Sequence, residues 1–203
     1  MSRVKRGDFI ETDSGNRISR KAVISGSQHI LLGGKSTILH GCEIRGDILA
    51  NTTGTINIGR YALFEQDVVV RPPSRASTTT AATTETHYPV KIGSYVRVGA
   101  GTVVEAAAIG SYVHIGSNCR IGRFAIIKDC VLVLDNAIIP DATVVPPLSV
   151  VAGNPAVVVR ELPESAADVF ERRARQTHAV MDLATGEALD AVFDDRDDVS
   201  FDL

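Results

Sequence analysis

An aliphatic side chain recurs every six residues over a long unbroken run: Ile109, Ile115, Ile121, Ile127, Val133, Ile139, Val145, Val151 and Val157. The same step appears upstream at Ile92 and Val98, at Ile58, Phe64 and Val70, at Ile38 and Ile44, and at Ile18, Ile24 and Ile30. A fixed short period signals a solenoid, in which each repeat buries its apolar face against the next. Two residues before an aliphatic stands a small or β-branched residue: Val96, Thr102, Val113, Cys119, Ala125, Val131, Ala137, Thr143 and Ser149. Alternate residues of an extended chain share a face, so both positions point inward. Glycines such as Gly59, Gly93, Gly110 and Gly116 follow the aliphatics and suit corners or close backbone approach. Short strands with a corner every six residues describe a three-sided prism. Three repeats make a coil, and coils stack at the ~4.8 Å strand spacing. Composition agrees: hydrophobic residues are 44% of the chain but aromatics only 5%, so the core fills with side chains of similar, medium size.

This text resembles that of hexapeptide-repeat proteins, and the resemblance implies an all-β fold, a left-handed parallel β-helix. The repeats delimit a β-helix over 10–160. The stretch 50–57 carries extra residues and reads as a loop, and a longer insertion at 72–89, rich in Ser, Thr and Ala, reads as a flexible loop leaving the prism. After Val159 the pattern changes. Pro163-Glu164-Ser165 opens a C-terminal α-helix over 163–184, with Leu162, Ala166, Phe170, Ala174, Thr177 and Met181 on one face and Gly186 at its end. Residues 187–203 hold seven acidic side chains against Arg196, a charge of −6, and read as a disordered tail. With −3 overall, residues 1–186 carry +3.

That mild positive body has no Lys/Arg run, so nucleic acid is not expected as a partner. No apolar run is long enough to enter a bilayer and no leader follows Met1, so direct membrane insertion is not expected and the cytoplasm is the expected compartment. Three cysteines with no ligand-like spacing argue against a disulfide framework or a zinc knuckle. Cys42 and Cys119 occupy inward positions and read as structural thiols.

Enzymes with this fold supply two tests. Ile44-Arg45-Gly46-Asp47 resembles the signature of the zinc-dependent γ-class carbonic anhydrases. That resemblance puts the three zinc-ligand positions at Arg71, Ala100 and Glu105. A catalytic zinc needs about three protein ligands and an open position for water. A guanidinium repels a cation and alanine offers nothing, so no metal and no cofactor are expected. Arg45 and Asp47 then read as a structural or interface ion pair. Acyltransferases use a histidine base. Of five histidines only His87, in the insertion, is placed like a loop base; His29 and His114 precede inward aliphatics and should point outward. A hexapeptide-repeat acyltransferase using His87 is the alternative reading.

The N-terminal text discriminates further. Ser14-Gly15-Asn16-Arg17-Ile18-Ser19-Arg20, Gly26-Ser27-Gln28, Val70-Arg71-Pro72-Pro73, Ile109-Gly110-Ser111-Tyr112-Val113-His114, Lys128-Asp129-Cys130 and Glu161-Leu162-Pro163-Glu164 resemble the dynactin subunit 5 family over roughly residues 9–165. The resemblance implies a non-catalytic structural subunit of the pointed-end complex of dynactin, in the cytoplasm on the microtubule cytoskeleton. It implies four kinds of partner: dynactin subunit 6 (a second β-helix), the pointed-end actin-related protein, dynactin subunit 4 and dynein cargo adaptors. No catalytic residue is assigned, and no partner-binding residue is assigned by motif. The insertion and the acidic tail depart from the family text. The open end coil near Ile18 to Ile30 and the 72–89 insertion are the expected contact regions.

Overall fold

The computed structural model describes residues 8–49, 54–79 and 82–183. Three sheets form the sides of a prism. The first runs through Phe9–Glu11, Arg17–Ser19, Thr37–Ile38, Leu63–Phe64, Arg97–Val98, Val113–Ile115, Val131–Val133, Ser149–Gly153 and Ala156–Glu161. The second runs from Val23–Ser25 through Glu43–Arg45, Val69–Val70, Val103–Val104 and Arg120–Ile121 to Ile138–Ile139. The third runs from Ile30–Leu32 through Ile56–Ile58, Val90–Ile92, Ala108–Ile109 and Ile126–Ile127 to Val144–Val145. Coils pair in parallel and in register: Val98 on Ile115, Ile115 on Val133, Val133 on Val151. Within the first sheet the terminal pairs, Phe9–Glu11 with Arg17–Ser19 and Ser149–Gly153 with Ala156–Glu161, are antiparallel.

The periodic aliphatics from Ile38 to Val151 are buried, and so are the small inward residues beside them except Thr143. The six-residue frame ends one step earlier than its text. Val157 is 58% exposed, because the chain reverses after Gly153 into an antiparallel strand whose side chains no longer alternate into the prism. Glycines stack corner on corner. A Cβ on Gly59 would sit 2.5 Å from the carbonyl carbon of Gly93, and one on Gly93 would sit 2.5 Å from that of Gly110. The reason is close backbone approach. One coil further on, aspartates take over. Asp129, Asp135 and Asp141 each accept a 2.7 Å hydrogen bond from the corner N–H of Ser111, Ser117 and Arg123 below.

The insertion at 72–89 is not a loop. Ser74–Thr79 and Ala82–His87 form an antiparallel hairpin. Its threonines are β-branched and suit strands, a preference that Ser/Thr/Ala composition hides. The hairpin base is held to a corner of the prism. Tyr88 meets the Phe124 ring edge-on at 5.3 Å, and the Arg75 guanidinium lies 5.2 Å over the same ring.

One helix, α1 (Ala166–Leu183), crosses the first sheet. Leu162, Ala166 and Phe170 are buried against Leu132 and Val150. The two ends of the prism differ. At the C-terminal end Ile139, Val145 and Val151 are fully buried, and Ala156 packs on them. At the N-terminal end Ile18, Ile24, Ile30 and Leu32 are only half-buried; strands with one neighbour stand at both ends, Val23–Ser25 and Ile30–Leu32 here and Ile138–Ile139 and Val144–Val145 at the other. The helix end at Gly186 and the tail at 187–203 lie outside the described residues, as do residues 50–53 of the shorter insertion.

Candidate functional site

The second sheet carries a charged outer face. Arg45 is held firmly: its Nε and Nη2 each donate to an Asp47 carboxylate oxygen at 2.8 Å, and its Nη1 donates to Glu43 at 3.3 Å. These hydrogen bonds hold the Asp47 carboxyl below the usual carboxylate range. Arg71 stands one coil on, with Nη2 4.0 Å from Glu43. Val70 pairs with Val104, so the residues that follow them, Arg71 and Glu105, are neighbours on successive coils. Glu105 is buried, with Arg120 Nη2 3.6 Å from one carboxylate oxygen and Arg123 Nε 3.8 Å from the other. Its Oε2 accepts no hydrogen bond.

Of the three positions aligned with zinc ligands, the fold thus brings Arg71 and Glu105 together. Ala100 lies at a different corner, between the first and second sheets. Its N–H donates to Glu65 at 3.1 Å, and Glu65 also binds Arg97. The residues present do not fit a zinc ion: two guanidiniums face the one carboxylate that could bind it. Among the described residues no group of three or more His, Cys, Asp or Glu is placed to hold a metal. His87 ends the hairpin, half-exposed, opposite Ser74. Beside it Ser74 donates to Glu85, which holds that carboxyl low.

The first sheet holds a second constellation that the sequence reading passed over. Tyr61, Tyr95 and Tyr112 stack ring on ring at 5.3 and 5.2 Å, nearly parallel. All three occupy left-handed corner positions, with φ of 54°, 59° and 58°. The corner repeats once per coil, so its side chains form a column. Arg175 of α1 lies 5.2 and 5.8 Å over the Tyr61 and Tyr95 rings and donates to the Tyr95 hydroxyl at 3.2 Å, while Glu171 fixes its Nε at 2.8 Å. His178 reaches the Gly15 carbonyl at 3.2 Å. The signal was the repeated Ile-Gly-x-Tyr at Ile58, Ile92 and Ile109. His114 points outward as expected but is buried, its ring 4.2 Å from Phe170 under α1. Burial pushes its pKa down to about 3, with Arg97 and Arg173 adding to the effect. Cys42 is buried, and burial pushes its thiol up to about 11, which leaves it unreactive.

Comparison with known proteins separates fold from family. A family model described as dynactin subunit 5 matches residues 3–178. The dynactin subunit 5 of Dictyostelium discoideum is 38% identical over 97 residues, which cover 48% of this chain and 44% of that protein. Among solved structures, a hexapeptide transferase family protein from Anaplasma phagocytophilum superposes with a TM-score of 0.56 at 17% identity, covering 81% of this chain and 89% of that one. The N-acyltransferase AntD from Bacillus cereus gives 0.52 at 14% identity, over 84% and 93%. LpxA from Acinetobacter baumannii gives 0.51 at 16%, over 87% and 67%. At such identities the likeness is one of fold, the left-handed β-helix, and carries no chemistry with it.

Proposed function

The chain belongs to the dynactin subunit 5 family, and on that premise we propose that it is a non-catalytic structural subunit of the dynactin pointed-end complex, where it supports dynein-driven transport by engaging membrane cargo through adaptors. The family match across residues 3–178 is the observation that carries this reading. In it the neighbours are dynactin subunit 6, the pointed-end actin-related protein and dynactin subunit 4, and the protein resides on the cytoplasmic microtubule cytoskeleton. The physical form is consistent with a scaffold. A packed prism keeps rigid faces, and its N-terminal end has unpaired strand edges that favour a partner. Arg45, at the end of the strand Glu43–Arg45, and Asp47, just after it, serve in this reading as a structural or interface ion pair. The acyltransferase alternative with His87 as base rests on fold likeness alone.

The deciding measurement is the native mass and composition of the protein drawn gently from its own cells. Recovery in a megadalton-scale particle with an actin-related protein and a second β-helical subunit is the expected result. Recovery as a free homo-oligomer overturns the reading, and acyl-coenzyme A binding together with an acyl-transfer activity that H87A loses would replace it.

A further inference from the structure

A cavity opens between the C-terminal half of α1 and the outer face of the first sheet. We propose that it binds a phosphoryl group, held between helix and prism by Arg173, Arg97, Lys35 and His114. The sheet register explains why the space is there. Outward residues of successive coils pair Thr37 with Leu63, Leu63 with Arg97, Arg97 with His114 and His114 with Leu132. At the Leu132 end the helix closes on the sheet through Leu162, Ala166 and Phe170. Towards Thr37 the row turns polar, and there α1 turns Arg173, Thr177 and His178 to the sheet without filling the gap.

Charge, an unanswered polar group and size together point to an anion. Lys35, Arg97, Arg173 and two histidines line the cavity, and no aspartate or glutamate does. Glu65, which is not among the lining residues, accepts from Arg97 Nε at 2.7 Å. His114 lines the cavity, is only 7% exposed, and has no hydrogen-bond partner for its ring nitrogens among the described residues. Buried polar groups are nearly always satisfied, so this ring asks for one. The charges acting on it, Arg97 and Arg173, both lower its pKa, which marks the cavity as positive. A bound anion reverses that sign and turns the ring into a charged donor. The cavity is small, about 30 Å³, room for two or so waters or one phosphoryl group and too little for a nucleoside. Guanidinium forks from two separate elements match the several oxygens of a tetrahedral dianion. The apolar walls at Leu63 and Ala174 strengthen each charged contact by lowering the local dielectric. Free phosphate and the phosphoryl end of a small monoester share this chemistry. The remainder of a monoester would leave past Lys35, which is exposed.

The test is calorimetric titration of the full-length protein with inorganic phosphate, at constant ionic strength in a buffer free of phosphate and sulfate. The expected result is one site tighter than roughly 1 mM, weakened about tenfold or more in K35Q/R173Q. Amide exchange over 166–183 should slow when phosphate is present, because the ligand ties α1 to the coils. R172Q, on the exposed side of the same helix, keeps wild-type affinity. Because Lys35 is exposed, K35Q alone guards against misfolding and should weaken binding in the same direction. A parallel titration with glycerol phosphate separates the sources: binding at least as tight assigns the site to a monoester, and weaker binding assigns it to the free ion. Equal affinity in wild type and K35Q/R173Q means an adventitious ion only and overturns the proposal. So does no binding up to roughly 10 mM, and so does binding that leaves exchange over 166–183 unchanged.

Discussion

His114 shows how a residue on the outer side of a strand becomes core once α1 is laid over it. Unfolded, its imidazole titrates near 6.5; folded, near 3, chiefly because burial excludes the charged form. Above pH 6.5 both states are neutral and the stability is whole. Below it the unfolded chain binds a proton that the native chain refuses. Stability then falls by about 1.4 kcal/mol per pH unit until roughly pH 3. Urea unfolding should show wild type losing about 2 kcal/mol more than H114Q between pH 7 and pH 5. Equal acid slopes in the two would mean that the ring is not neutral and enclosed. Gly93 gives a sharper test of packing. A Cβ there meets backbone, which has no rotamer to retreat into. G93A should cost more than about 3 kcal/mol, although alanine is far smaller than the neighbouring side chains. A surface-like change below about 0.5 kcal/mol would contradict the stacked corners.

At the scale of elements, α1 is docked rather than woven in. Its contacts are the buried Phe170 and Ala166 near one end and the Arg175 and His178 contacts to the tyrosine column and Gly15 further along. F170A removes the largest of these, and such truncations cost about 3–5 kcal/mol when buried. That is enough to undock one helix and too local to melt the coils. Exchange of 166–183 should rise to the rate of an isolated helix while Val113–Ile115 and Val131–Val133 stay protected. Uniform loss of protection in both would show that the helix and prism unfold as one. The helix was legible because its buried face repeats at 3.6 residues, and the prism because its inward residues repeat at six. Both patterns are local in sequence. The tyrosine column and the pairing of Arg71 with Glu105 were not legible as sites. Each depends on residues 17 to 34 apart landing at one height, which requires the coil register including its breaks. The hairpin was missed for a different reason. Its small polar residues match loop composition, and only pairing across the turn makes them strands.

For the whole molecule, the asymmetry of the two ends decides where a neighbour would sit. Interior aliphatics such as Ile38, Ile44 and Ile56 are at most 1% exposed, whereas Ile18, Ile24, Ile30 and Leu32 of the first coil stay half-buried. Among the described residues no further coil covers them, and Val23–Ser25 and Ile30–Leu32, which carry Ile24, Ile30 and Leu32, have a free edge. Covering that coil with another flat prism end or an actin-like surface removes apolar area from water at about 25 cal/mol per Å² and pairs the free edge. Leu31 lies on this rim, 54% exposed, and Val144 lies at the opposite end, 57% exposed. Lysine at either position changes the fold little, since each side chain already faces water. If the proposed assembly seats its neighbour on the first coil, L31K should lose incorporation into the large particle while V144K keeps it, with both free chains melting like wild type. Native gels of cell extracts expressing each variant read the difference directly. Full incorporation of L31K would move the contact elsewhere, and loss in V144K alone would place it at the capped end, where Val157, Val158 and Val159 are exposed in a row on the edge strand.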